Sequence, residues 1–136
     1  MAERDRSQFI KPIENAPFTR LLGLKIESAT GGVAVVRMPF DLHLLNEGGP
    51  RAPLHGGSIA ALVDVAACAA VWSMPETTRS ATISLTVNYT GFAVNSDLIA
   101  HAKVKRAGKR IASISVEVAD DANALIADAL VTYKII

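Results

Sequence analysis

The chain has 136 residues, half of them hydrophobic and a fifth charged, with a formal net charge of +1. That length fits one domain, here 1–136, and leaves too little material for a second core; the composition is that of a globular rather than a disordered protein. So neutral a chain has no global field to draw it to nucleic acid or an anionic membrane, so any anion it binds must be met by a local cluster.

Residues 1–20 are too charged for the apolar core of a signal peptide. The longest apolar run, Ile59 to Trp72, is broken by Asp64 and is too short to cross a bilayer. One cysteine, Cys68, lies inside that run, so no intrachain disulfide forms and the thiol reads as buried and inert. A reducing cytoplasm is the expected setting.

Residues 5–20 read as a leading helix ending near Ala16-Pro17, because the residue before proline avoids helical angles. Leu22–Ser28 and Val33–Met38 read as two strands joined at Gly31-Gly32. A loop rich in turn formers, 41–54, precedes an Ala-rich stretch over 55–73 that is long enough for five helical turns and is stopped by Pro75. In 81–90, Ile83, Leu85, Val87 and Tyr89 alternate with Thr82, Ser84, Thr86 and Asn88, the period of a half-buried strand. Similar alternation recurs in 97–106, 110–118 and 125–134.

The order is therefore two strands, one helix and four strands. The helix is apolar on every side, which predicts burial all round, and its alanines let a sheet approach closely. A single helix wrapped by a curved antiparallel sheet, an α+β architecture, satisfies both features.

Asp64 conflicts with that environment. Aspartate is a poor residue for a helix interior, and a buried unpaired carboxylate costs several kcal/mol. Apolar surroundings also disfavour its charged form. Either it reaches a solvent-facing edge or a distant arginine, or a reaction needs a carboxylate in a dry cleft. His55-Gly56-Gly57 at the helix start bears on the choice. First-turn amides lack intrahelical acceptors and carry partial positive charge, and glycine lets a ligand approach that backbone. Such a turn stabilises an oxyanion, although Gly-Gly also suits a plain turn and cap. His55 and Asp64 are nine residues apart, about half a revolution and roughly 13 Å along a helix, so they face opposite ways. If both serve one reaction, a second subunit supplies one of them, and a two-fold dimer makes two such mixed sites.

LHGGSIAALVDVA resembles the signature of hotdog-fold acyl-CoA thioesterases of the phenylacetyl-CoA thioesterase (PaaI-like) type. TISLTVNYTGFA, VKRAGKRIASISVEV and ALIADALVTYKI resemble the strands that follow in that family, so the likeness covers roughly residues 17–136. It implies a hotdog fold, pairing into a dimer and commonly a tetramer, and hydrolysis of an aromatic or short- to medium-chain acyl-CoA without metal or redox cofactor. Asp64 matches the carboxylate that attacks the thioester carbonyl or activates water, and Gly56 the backbone donor that polarises it, with Gly57 adjacent. His55 matches the histidine near the loop. Thr82 falls where relatives carry a hydroxyl that orients water, and Ser84 is the alternative on the same strand face. Asn46 resembles the loop asparagine, but lies nine residues before His55, a longer spacing than the family's. Arg106, Gly108, Lys109 and Arg110 would line the coenzyme and Tyr89 would touch the pantetheine, although a charged hairpin tip is also an ordinary solvated feature. The loop 40–54, Leu62, Val65 and the partner's helix are the expected pocket walls. His43 is expected near the cleft and His101 in solvent. Two rivals on this fold are a non-catalytic acyl-CoA-binding module and an enoyl-CoA hydratase or dehydratase, whose Asp–His motif is spaced differently.

Overall fold

The computed structural model describes residues 6–49 and 51–136; residues 1–5, which include the first position of the expected leading helix, and Pro50 in the loop lie outside the described residues. The leading segment forms two helices, α1 (Ser7–Asn15) and α2 (Pro17–Leu21). Ala16 between them is extended, with φ −57° and ψ 139°, as the residue before proline must be. The stop falls where the sequence puts it. Helix resumes at once because Pro17 fits a first helical position, where its missing N–H has no partner to lose. Gly23, at φ +72°, then turns the chain, and β1 (Lys25–Thr30) starts three residues later than expected.

The remaining elements follow the expected order: β2 (Val33–Met38), α3 (Gly56–Trp72), β3 (Ser80–Tyr89), β4 (Leu98–Ala107), β5 (Ile111–Asp120) and β6 (Leu125–Ile135). The strands form one antiparallel sheet in the order β1-β2-β4-β5-β6-β3, so β1 and β3 are its edges. Every second residue of the central strands is buried: Ala34, Val36 and Met38, then Leu98, Ala100 and Ala102, then Ala112, Ile114, Val116 and Val118. Against them α3 buries Ile59, Leu62, Val63, Ala66, Ala67, Ala70 and Val71. Alanines on both sides bring the helix close to the sheet, and each fully buried Leu or Val contributes about 1.5–3 kcal/mol.

The helix is not buried all round, contrary to the sequence reading. Ala61, Asp64, Val65, Cys68 and Trp72 are only half-buried. Their spacing puts them on one face, turned away from the central strands, where α1 covers the helix without sealing it. The far end of α3 is well tied. Ser73 Oγ accepts from the Gly32 amide at 2.8 Å and donates to the Ala70 carbonyl at 2.7 Å, which fixes the β1–β2 turn beneath the helix. Thr77 Oγ1 donates to the Val71 carbonyl at 2.8 Å. No described helix is long and apolar enough to cross a membrane.

Candidate active site

Asp64 opens from the half-buried face of α3 toward the end of the sheet where β3 and β6 pair. Its Oδ1 accepts from the Thr82 hydroxyl at 2.8 Å and from the Tyr133 hydroxyl at 2.7 Å. The Tyr133 oxygen is also 3.0 Å from the Asp64 carbonyl oxygen. Burial pushes the Tyr133 phenol far above its ordinary value, with the neighbouring Cys68 acting in the same direction, so the hydroxyl keeps its proton. Among the described residues no donor reaches Oδ2. One carboxylate oxygen is thus held by two hydroxyls, and the other is left for a reacting group.

A β-bulge creates this arrangement. Thr82 pairs with Tyr133 and Ser84 pairs with Thr132, so Ile83 is an extra residue in β3. Two residues advance on one strand for one on the other, which reverses the alternation beyond the bulge. Thr82 therefore shares the helix-facing side with Leu85, Val87 and Tyr89, and Ile83 is turned out with 55% exposure. Ser84 lies on the opposite face from Thr82, contrary to the uniform alternation read from the sequence. The bulge separates the two hydroxyls and gives Asp64 only Thr82.

At the start of α3, His55 is the N-cap, and its Nδ1 accepts from the Gly57 amide at 2.8 Å. That contact uses the Gly57 donor. The Ser58 and Ile59 amides share the His55 carbonyl. Among the described residues none accepts from the Gly56 amide, so Gly56 carries the free donor of the turn. The Tyr89 hydroxyl donates to the Gly56 carbonyl at 2.7 Å, which places Tyr89 as a brace of this turn. The His55 amide is held by the Leu44 carbonyl at 2.7 Å. Eight residues of helix, roughly 12 Å, separate Gly56 from Asp64.

Asn46 sits at the neck of the preceding loop, its amide donating to the Pro53 carbonyl at 2.9 Å, just beyond the bridge between Leu45 and Leu54. Asn46 thus stays within two paired positions of the His55 turn. Arg106, Gly108, Lys109 and Arg110 line an exposed cleft at the β4–β5 tip, beyond the C-terminal end of α3. No carboxylate pairs with these cations among the described residues. His101 is exposed, as expected. His43 is outside the cleft: its Nδ1 is 2.8 Å from Asp41 Oδ1 and its Nε2 3.1 Å from the Leu21 carbonyl, linking the loop to α2.

The cleft beside Asp64 holds about 540 Å³. Asp64, Thr82 and Tyr133 lie in it with Val65, Cys68 and Trp72 of α3, and Phe9, Pro12 and Ile13 of α1 form its other wall. Val65 is a wall residue, as expected, whereas Leu62 is fully buried in the core; within one chain no described residue of the loop 40–54 lines this cleft. Burial, followed by the charge of Asp64, pushes the Cys68 thiol up to about 11. It is therefore a weak nucleophile lining the wall. Among the described residues no three His, Cys, Asp or Glu side chains gather as a metal site. The sequence reading missed Tyr133 and the place of α1 in this cleft. Tyr133 stands in the period-two alternation of β6 like any core aromatic.

An antiparallel sheet wrapped on one long helix, with a helix-borne carboxylate and a His-Gly-Gly turn at the helix start, defines a hotdog-fold thioesterase. Comparison with known proteins agrees. The family model described as "Thioesterase superfamily" matches residues 54–127, more than half of the chain. An esterase, provisionally so named, of Halobacterium salinarum is 36% identical over 105 residues, 75% of this chain and 69% of that protein. The structure of a conserved Pseudomonas aeruginosa protein, PA5202, is similar with TM-score 0.84 and 29% identity, over 93% of this chain and 98% of that one. The Escherichia coli PaaI protein, from the phenylacetic acid degradation operon, has TM-score 0.83 over 100% of this chain and 96% of that one. At 23% identity that likeness is one of fold. The chain belongs to the thioesterase superfamily, and its activity is hydrolysis of thioesters.

Proposed function

We propose that this chain hydrolyses acyl-coenzyme A thioesters of the PaaI-like type at a site shared between two copies, with Asp64 as the reacting carboxylate. The observation that carries the reading is the Asp64 carboxylate: Oδ1 is fixed by Thr82 and Tyr133, and Oδ2 is free. Oδ2 attacks the thioester carbonyl carbon, or takes a proton from the water that does. The carbon–sulfur bond breaks and the coenzyme leaves as its thiol, with a proton that comes from the water. After direct attack that water cleaves the acyl–Asp64 anhydride and frees the carboxylate; after general-base attack its oxygen is already that of the acid. The carbonyl oxygen gathers charge on the way and needs a donor aimed at it. The Gly56 amide is such a donor, but its own Asp64 is too distant to share a substrate carbonyl with it.

A two-fold dimer supplies the match, with Gly56 of one copy beside Asp64 of the other. The open edge strand β3, with Ile83 turned outward, supports pairing at this edge, since an unpaired edge is a ready template for a second strand. The cations at the β4–β5 tip suit the coenzyme's phosphates, which the Asp64 cleft itself has no cation to meet. Asn46 and His55 complete the turn on the donor side.

Two assays test this. Thiol release and free acid should appear together when the protein is incubated with acyl-CoAs; binding without release would make it a non-catalytic acyl-CoA module. Asp64→Asn and Gly56→Pro copies should each be nearly inactive. Mixed and re-equilibrated, they should recover about a quarter of the native rate, because half of the dimers then hold one intact site. No recovery despite mixed dimers would refute the shared site.

A further inference from the structure

We infer that α1 is the chain-length selector of this enzyme, with the Phe9 ring closing the far end of the chamber that receives the acyl group. The inference rests on the thioesterase reading above. The cleft runs along one face of α3 from Asp64 to Trp72, eight residues and roughly 12 Å. At the near end are the Asp64 carboxylate and the Thr82 and Tyr133 hydroxyls. At the far end Phe9 stacks on Trp72, with ring centroids 5.6 Å apart and planes at 28°. Between them the lining is mostly apolar, with Pro12 and Ile13 of α1 and Val65 and Cys68 of α3; of its polar members Thr19 is buried and Ser80 Oγ accepts from the Trp72 indole N–H at 2.8 Å. Such walls suit a hydrocarbon chain. They would leave the amides of the pantetheine arm unpaired, which is costly in a dry site. The acyl group, and not the coenzyme, therefore takes this channel.

The position of Phe9 is set by Arg6. Its guanidinium donates to the carbonyls of Trp72, Pro75 and Thr77 at 3.0, 3.1 and 2.6 Å. The same group lies 4.1 Å from the Phe9 ring centroid and 5.9 Å from that of Trp72, within cation–π range. A cation at the C-terminal end of α3 also meets the negative end of the helix dipole. Toward the other end of α1, Glu14 Oε2 accepts from the Ile26 amide at 2.7 Å. No residue of α1 is fully buried, so these tethers and the ring stack fix the helix more than core packing does. Allowing about 3.5 Å for contact with the rings and about 3 Å for the approach of the carbonyl, the channel takes an acyl chain of about four to six carbons.

The test compares the native protein with Phe9→Ala, Phe9→Leu and Arg6→Gln on straight-chain acyl-CoAs of graded length, by thiol release. Native kcat/KM should fall beyond about six carbons. Phe9→Ala should raise kcat/KM on a twelve-carbon acyl-CoA about tenfold, at the low end of what a single methylene is worth in an apolar pocket, and change the four-carbon substrate less than about twofold. Phe9→Leu should lie between, and Arg6→Gln should broaden the profile the same way. Length profiles that stay parallel to the native one would overturn the assignment, as would a uniform rise in KM at every length. A native protein that releases no thiol would remove the thioesterase reading itself; native turnover with an unmoved profile would remove only the role of α1.

Discussion

The Tyr133 hydroxyl lies 2.7 Å from Asp64 Oδ1 and 3.0 Å from the Asp64 carbonyl oxygen, although the two residues are 69 positions apart in sequence. One proton serves two acceptors of the same residue, so Tyr133 fixes the rotamer of the carboxylate against its own backbone. Tyr133→Phe keeps the packing and removes the donor. A hydrogen bond to a charged group contributes about 1.5–3 kcal/mol, so kcat should fall about 10- to 100-fold with little change in KM. Steady-state kinetics beside a thermal melt separate this from simple destabilisation.

The bulge at Ile83 predicts a contrast between two hydroxyls two positions apart. Thr82→Ala should lower kcat about tenfold, by loss of one donor to Oδ1, and Thr82→Ser should restore most of it. Ser84→Ala, on the other face, should stay within about twofold. Equal losses at the two positions would contradict the register.

Gly56→Pro should fold and still lose activity. His55 already holds φ −65° and ψ 132°, which a following proline requires, and Gly56 is the first helical position, where proline is accepted. A Cβ there meets the Tyr89 ring at 3.4 Å, and Tyr89 is half exposed with room to give. The substitution removes the free N–H and sets the ring Cδ where that hydrogen pointed. Loss of an oxyanion donor costs about 10²- to 10³-fold in kcat, measurable with the melting temperature unchanged.

The contact between His43 and Asp41 should give a weak pH dependence of stability. The His43 imidazole is raised above its ordinary 6.5 by its hydrogen bond to Asp41, and the Asp41 carboxyl is lowered below its ordinary 3.8 by His43. A raised imidazole stabilises the fold fully below 6.5, and the contribution is lost as pH rises through the folded value. A lowered carboxyl stabilises above 3.8, and the contribution is lost as pH falls through the folded value. The pair is therefore strongest between those limits. Both groups are exposed, so the effect is small and weakened by salt. His43→Gln should lower the melting temperature at pH 6 and less so at pH 9, with activity unchanged at neutral pH.

The parts of this site legible in the sequence are those carried by local pattern. Asp64 stood out because an ionisable residue interrupted an apolar helix, and the Gly56 turn because glycines preceded that helix. If both serve one reaction, their separation on one helix already calls for a second copy. What escaped was set by tertiary packing. Tyr133 occupies an alternating position in β6 that any core aromatic fits, and only the β3–β6 register puts it on Asp64. The bulge at Ile83 has no glycine or proline to mark it, so a uniform period of two placed Thr82 and Ser84 on one face. The helix α1 was legible as a helix, but its seat over α3 depends on Arg6 reaching three carbonyls more than sixty residues away. The stripe from Ala61 to Trp72 is as apolar as the rest of α3, so composition could not show that it lines a cleft.

The most direct test of the central claim is the turnover of purified Asp64→Asn on an acyl-CoA that the native protein cleaves. The amide keeps the size of the side chain and an acceptor for Thr82 and Tyr133, but can neither attack a thioester nor take a proton from water. Thiol release should drop by about three orders of magnitude or more, with the melting temperature and the oligomeric state unchanged. A rate within a few fold of native would show that the reacting group lies elsewhere.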